Sequence, residues 1–231
     1  MAKFKYTMGK KLDLKKEQKA TLKRPVMKFN FVLKLLVIAM NLVYGRKRTI
    51  AKFKIIELFA RYPYCAWESA SYRHVSKLHT KRKYAEKADS DREIHVIELG
   101  RESQDNEQWH LMIIEDIMRQ KGIKLGFLRG ILIPRLMTIG YKIFSASLYR
   151  IRPAWSFSMN ARFESHAEHE YMEIVKENPH WETDRIDTKY FEYYPRQKTM
   201  ADLFRRIGLD ERDHMYQSME EYKLITGKDL K

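Results

Sequence analysis

Four stretches of the chain carry apolar residues at helical spacing between polar ones, residues 49–78, 103–120, 154–176 and 198–225, and they predict four bundle helices. Two other stretches break this rhythm because they are apolar nearly all round. Residues 29–44 read FNFVLKLLVIAMNLVY; Lys34 interrupts them, and the uncharged part is too short to span a bilayer comfortably. Residues 122–149 set Phe127, Ile131, Leu136, Ile139 and Ile143 among spaced cations, and Pro134 is expected to break or kink that helix. On an ideal wheel Lys124, Arg135 and Lys142 fall within roughly 20° of one another. Both segments fit two descriptions. They are either buried helices of a soluble core or in-plane helices that dip an apolar face into one leaflet while Lys and Arg meet lipid headgroups. Between the first two bundle helices, residues 81–100 are charged and read as a long excursion with a short helix or strand at 94–99.

Composition narrows the class. Six Pro and nine Gly leave little room for a many-turned β architecture, so an all-α fold is expected, and 231 residues suit one domain. Residues 1–25 read as a basic N-terminal tail, frayed or disordered, and residues 26–231 as the folded domain. Lys and Arg outnumber Asp and Glu by 45 to 30, a net charge of +15, which favours an anionic partner and, for the two apolar segments, the membrane-surface description. The run Tyr190-Phe191-Glu192-Tyr193-Tyr194-Pro195 reads as an aromatic loop. It is not interleaved with cations as a base-stacking platform would be, so no nucleic acid is expected. The single Cys65 excludes an intrachain disulfide and suits a reducing compartment. Neither a Ser-rich transit peptide nor a secretory signal is apparent, the first serine being Ser69, and the cytoplasmic side of a membrane is the expected location.

The chemistry lies in two Glu-x-x-His steps, Glu107 with His110 and Glu211 with His214. Residues i and i+3 share a helix face, so each pair can reach one metal ion. Two such helices, with one inward Glu from each of two others, form the ligand set of a di-iron four-helix bundle. Glu57 and Glu164 are the natural single donors, giving the order Glu, Glu-x-x-His, Glu, Glu-x-x-His along the chain. A third match, Glu177 with His180, is coincidental, because Pro179 removes a backbone donor and pushes Asn178 away from helical geometry. Glu68 rivals Glu57: it lies eleven residues on, within roughly 20° on the same face but about 16 Å along the axis. The pattern alone does not choose between them.

The residues around these positions resemble a known family. Arg46-Lys47-Arg48-Thr49 followed by Phe53-Lys54-Ile55-Ile56-Glu57-Leu58-Phe59-Ala60-Arg61-Tyr62-Pro63-Tyr64 resembles the first ligand helix of plastid terminal oxidases, in the alternative oxidase superfamily. In that pattern the glutamate stands six residues before the proline, which selects Glu57. Asn106-Glu107-Gln108-Trp109-His110-Leu111 with Glu115, Glu164-Ser165-His166-Ala167 with Tyr171, and Asp210-Glu211-Arg212-Asp213-His214 are similar to the second, third and fourth motifs, and Ser-His-Ala is the plastid-type variant. The resemblance implies a ferritin-like di-iron four-helix bundle with two additional membrane-surface helices. It implies two iron ions held by Glu57, Glu107, His110, Glu164, Glu211 and His214, and a monotopic enzyme on a thylakoid or plasma membrane. That enzyme would oxidise plastoquinol or ubiquinol and reduce dioxygen to water without pumping protons. It assigns Tyr171 as a redox-active tyrosine. On chemical grounds alone, Asp210 or Asp213 is a candidate to orient a ligand histidine, with a solvated helix position as the alternative for Asp213.

The chain departs from the pattern at Lys52, where the family has a quinol-lining arginine, at Glu170, where a threonine is usual, and in the insertion-like residues 81–100. Lys52 and His166 are the candidate quinol contacts, although Lys offers a point charge in place of a planar fork. A homodimer is one candidate assembly. Two other classes compete: a ferritin-like hydroxylase of quinone precursors, using the same ligands for oxygen insertion, and a non-catalytic basic membrane-binding protein that needs none of them.

Overall fold

A computed structural model of the chain describes residues 7, 10–81 and 86–230. Its elements are helices α1 (Leu14–Lys23), α2 (Phe31–Tyr44), α3 (Ile50–Thr80), α4 (Lys87–Gln120), α5 (Ile133–Ile151), α6 (Pro153–Glu177) and α7 (Met200–Thr226). A π-turn at Leu128–Leu132 precedes α5, and two short 3-10 turns, Pro179–Glu182 and Lys189–Glu192, lie between α6 and α7. The fold is all-α, as expected; among the described residues the only β feature is an isolated bridge between Arg185 and Thr199.

Helices α3, α4, α6 and α7 form the bundle, with α3 packed on α4 and α6 on α7. Glycine permits both close approaches. A Cβ on Gly100 of α4 would stand 3.0 Å from Glu68 Cβ and 3.0 Å from the Tyr64 carbonyl of α3, and one on Gly208 of α7 would stand 3.0 Å from Tyr171 Cβ of α6. Phe53, Ile113, Ile114, Ile117, Phe204 and Ile207 fill one end of the core; Tyr64, Trp67, Val96, Leu99 and Phe157 fill another. Helices α2 and α5 lie outside the bundle against α3, joined to it through Leu33, Ile55, Phe59, Tyr141 and Met159. Their outer faces are apolar and bare: Phe31, Leu42, Phe127, Leu136 and Ile143 are all more than half exposed. The run Leu128–Ile151 is long and apolar enough to cross a membrane by length and composition, whereas α2 is too short.

Three expectations are corrected. Of the stretch expected as an excursion, residues 82–85 lie outside the described residues, and from Lys87 onward the chain is the first part of α4, continuous through to Gln120. Charged residues had suggested a loop, but Val96, Ile97 and Leu99 bury against α3 and hold the helix together. Pro134 does not end the helical run, which continues from the π-turn at Leu128–Leu132 into α5; the local distortion expected of it takes the form of that π-turn directly before it.

The third correction concerns the N-terminal tail. Residues 14–23 are helical, capped by the Asp13 side chain on the Lys16 amide, and docked on α6 and α7. The docking is polar, which is why apolar periodicity does not reveal it. Glu168 of α6 is fully buried and is met by Arg24 and by Arg212 Nε, the latter at 2.8 Å. Thr21 donates to Glu168 at 2.7 Å, Arg212 reaches Glu17 at 2.5 Å, and Gln18 donates to the Met172 carbonyl at 2.8 Å. Ahead of the helix, Thr7 gives its amide hydrogen to Asp213 at 2.7 Å. Removing one partner of a buried ion pair leaves the other charge uncompensated. Arg212→Ala is therefore expected to lower the free energy of unfolding by about 3–5 kcal/mol in a urea titration, and a loss below about 1 kcal/mol, the value of an exposed pair, would show that this network does not hold α1.

Candidate metal centre

Each bundle helix contributes to one buried cluster. On α4 and α7 the three-residue step places Glu107 beside His110 and Glu211 beside His214, while α3 supplies Glu57 and α6 supplies Glu164. All six side chains are at most 1 % exposed. His110 Nδ1 lies 3.2 Å from Glu57 Oε2 and 3.3 Å from Glu211 Oε1; His214 Nδ1 lies 2.9 Å from Glu107 Oε1 and 3.5 Å from Glu211 Oε2. The donors divide into two sets, Glu57, Glu107, His110 and Glu211 against Glu107, Glu164, Glu211 and His214, each with its ligand atoms within 4.8 Å of one another. Glu107 and Glu211 belong to both sets. This is the arrangement for two cations joined by two shared carboxylates, each with one further Glu and one His.

The donor atoms fit such a pair of ions. Glu57 Oε2, both oxygens of Glu107 and of Glu211, Glu164 Oε2, and Nδ1 of both histidines are buried without a hydrogen-bond partner. Orphaned polar atoms are rare in a folded core, and four carboxylates packed together in one are untenable without counter-charge. Burial, followed by the neighbouring charges of Glu211 and Glu107, pushes the Glu164 carboxyl well above its ordinary range. Burial depresses the two imidazoles, yet the carboxylates crowded around them and, for His110, Tyr194 leave both well above their ordinary range. The hard oxygen donors suit iron in its higher oxidation states.

A ring of second partners fixes the cluster. Asp210 Oδ2 stands 3.3 Å from His110 Nε2, accepts from Tyr194 at 2.5 Å, and its other oxygen accepts from Arg206 at 2.5 Å. Burial opposes the Asp210 charge, but the His110 hydrogen bond and the Arg206 charge bring its carboxyl down to about 2. Tyr171 donates to Glu57 Oε1 from a fully buried position. Tyr64 donates to Glu164 Oε1 at 2.7 Å and accepts from Asn160 at 2.9 Å.

Of the two aspartates considered for orienting a histidine, Asp210 does so and Asp213 holds Thr7 instead. Glu68 stays outside the cluster and accepts from Gln104 at 2.6 Å. Glu177 pairs with Arg48 at 2.5 Å, and neither it nor His180 joins the metal-binding sets. Sequence reasoning missed Tyr64, Asn160, Tyr194 and Arg206. Tyr64 was within reach, since seven residues beyond Glu57 is the same helix face; Tyr194 was not, because a loop brings it in.

Lys52 and His166 line a cavity of about 250 Å³ next to Ile56, the residue before Glu57. Lys52 Nζ donates to Asn41 Oδ1 at 2.7 Å and to the Gly45 carbonyl at 3.1 Å, and burial lowers its pKa. Burial likewise lowers the His166 pKa. Glu170, bound by Arg48 at 2.8 Å, lines the polar side of this cavity. A second, almost wholly apolar cavity of about 460 Å³ lies between α2 and α5. Leu36, Met40, Ile56 and Phe163 line both, so the two spaces adjoin.

A helical bundle whose four core helices converge on two carboxylate-bridged donor sets defines the class of di-iron carboxylate proteins. Within that class the family model for alternative oxidase matches residues 10–220, and the chain belongs to that family. No curated protein and no solved structure matches it. The family consists of membrane-associated di-iron quinol oxidases, which makes the chain a quinol:oxygen oxidoreductase.

Glu57→Ala is expected to lower the iron content of purified protein below that of the wild type, expected at two per chain, and to abolish turnover, while Glu68→Ala leaves both near normal. Metal analysis of the two variants decides the matter. Loss of iron in the Glu68 variant alone would reverse the assignment on α3.

Proposed function

We propose that Glu57, Glu107, His110, Glu164, Glu211 and His214 hold the two irons of a monotopic plastoquinol oxidase. The observation that carries this reading is the twin donor set standing directly behind a cavity whose wall passes from apolar to cationic. When bound, the iron pair supplies the electron-accepting chemistry that reduces dioxygen to water. The protein does the rest. The apolar space between α2 and α5 takes the prenyl tail and ring from the bilayer, and Ile56 and Phe163 lead the ring toward the cluster. Lys52 has two of its three N–H donors engaged by Asn41 and Gly45, which leaves the third for a quinol oxygen. His166, on the same cavity wall, is the second contact for the headgroup. Tyr171, hydrogen-bonded to Glu57 and sealed from solvent, is placed to give an electron and a proton at the cluster. Plastoquinol is preferred to ubiquinol as donor because the third motif carries the plastid-type Ser165-His166-Ala167.

Attachment to one leaflet is favoured over spanning by the charges of α5. Arg135 and Lys142 are exposed and seven residues apart on one face, and Lys142 lies near the middle of the apolar run. A spanning orientation would leave it at the bilayer centre, where a cation is costly, whereas an in-plane helix keeps both at headgroup level. Residues 26–231 would then form the membrane-bound di-iron domain, with α1 clasped to its far side.

Membranes bearing the protein are expected to consume oxygen with short-chain plastoquinol, insensitively to cyanide. The ratio is two quinols per dioxygen, since the reduction to water takes four electrons and each quinol supplies two. Tyr171→Phe keeps the ring and should keep fold and iron while suppressing full reduction; wild-type rates would remove Tyr171 from the mechanism. Stoichiometric peroxide release in the wild type would count against the oxidase reading, and a hydroxylated quinone product would move the protein to the hydroxylase class. Detergent should release the protein more effectively than salt, which screens only the headgroup attraction. Labelling of sites flanking α2 and α5 in sealed vesicles checks the topology, and access to two flanks of one segment from opposite sides would exclude the one-leaflet arrangement.

A further inference from the structure

Tyr171, Tyr194 and Tyr64 each hydrogen-bond a carboxylate in or beside the cluster, but they differ in what lies behind the ring. Tyr171 is walled by Phe53, with ring centroids 4.5 Å apart, and by Phe204 at 5.6 Å. Phenylalanine is far harder to oxidise than a phenol or an indole, so an electron taken from Tyr171 is not replaced through these neighbours. The Tyr194 ring meets His110 at 5.4 Å, back toward the cluster. Tyr64 is connected outward. Its ring faces His214 at 5.3 Å and Trp67 at 4.9 Å, and Trp67 lies 6.4 Å from Tyr149. Tyr64 and Trp67 are buried to 1 % and 0 % exposure, whereas Tyr149 on α5 is only half-buried. The three rings run from the dry cluster to the protein surface.

We propose that Tyr64, Trp67 and Tyr149 form a one-electron relay that drains oxidising equivalents from the cluster when quinol is scarce. The inference rests on the dioxygen-reducing reading above. One quinol delivers only half of the four electrons that dioxygen needs. When the second is late, one electron passes from Tyr64 to the oxygen under reduction, and the phenol proton shifts along its 2.7 Å hydrogen bond to Glu164. Trp67 returns an electron, the proton moves back from Glu164, and Tyr64 is restored, its oxygen held throughout by Asn160. The indole N–H of Trp67 donates to Ser156 Oγ at 2.8 Å. A hydroxyl is no base, so the oxidised indole keeps its proton and only an electron moves. Tyr149 supplies that electron; its half-buried phenol, on oxidation, gives up its proton by way of the neighbouring Glu93 carboxylate to solvent. The net change is one electron transferred from Tyr149 to oxygen, one proton released to solvent, and a phenoxyl at the surface, where a thiol- or ascorbate-class reductant restores the phenol with one electron and one proton.

The test uses full-length, iron-loaded protein reduced with less than a full complement of short-chain plastoquinol and then mixed with oxygen and a nitroso spin trap. Peptide mass spectrometry should place the adduct on Tyr149 in the wild type and show it reduced to background in Trp67→Phe. Oxygen uptake with excess quinol should be unchanged in that variant. Tyr149→Phe alters only the half-buried end of the relay and gives an independent reading: the radical trapped by freeze-quenching should change from a tyrosyl to a tryptophanyl paramagnetic resonance signal. Undiminished Tyr149 adducts in Trp67→Phe, no adduct in a wild type that consumes oxygen, or no tryptophanyl signal in Tyr149→Phe would each overturn the relay. A wild type that takes up no oxygen with excess quinol would instead defeat the oxidase reading, and the relay with it.

Discussion

Four glutamates are held together in a core that admits no water, and the rest of the molecule is arranged around that single electrostatic problem. Each buried carboxylate is costly unless a counter-charge meets it. Most of the donor atoms left without hydrogen bonds face the interior of the two donor sets, while Tyr171, Tyr64 and Asp210 take up outward-facing atoms of Glu57, Glu164 and His110; His214 Nε2 has no such partner. The division is chemical as well as geometric. Oxygens turned inward are kept for metal, and those turned outward are tied to groups that fix the rotamer.

Rigidity of this kind needs helices that cannot shift against one another. Gly100 and Gly208 let α4 approach α3 and α7 approach α6 to the point where a methyl group would collide with the neighbour. The polar clasp of Glu168, Arg212, Arg24 and Thr21 then ties α1 across α6 and α7. Arg212 and Asp213 sit between Glu211 and His214 in the chain, so the helix turn that presents the ligands inward also presents the clasp outward.

The outer helices answer a different demand. Between α2 and α5 lies an apolar space that adjoins a polar one lined by Lys52, His166 and Glu170, the route proposed for a quinol entering from lipid. The outer faces of the two helices are apolar and exposed, and in the proposed one-leaflet arrangement these are the faces that would meet lipid. The aromatic residues behind Glu164 lead the other way, through Trp67 to Tyr149. The proposed substrate route and the proposed electron relay thus lie on different walls of the cluster.

What the amino-acid sequence determined by itself was the set of candidate ligands that the fold brings together, and the helices that carry it. Helical period is a property of neighbouring residues, so Glu107 with His110 and Glu211 with His214 could be placed on shared faces before any tertiary contact was known. The family resemblance, which the alternative oxidase match bears out at the level of the family, then separated Glu57 from Glu68 where spacing could not. Only the tertiary structure decided the rest. Residues 87–100 are helical because Val96 and Leu99 find a partner in α3, and residues 14–23 are helical because Glu168 and Arg212 await them 140 and more residues away, as the 147-residue separation of Thr21 from Glu168 shows. Tyr194 reaches Asp210 from a loop, and Asp210 rather than Asp213 meets a histidine, because the facing of α7 toward α4 is set by packing between helices. Local pattern records which residues share a face; which face meets which is settled only when distant segments are buried against each other.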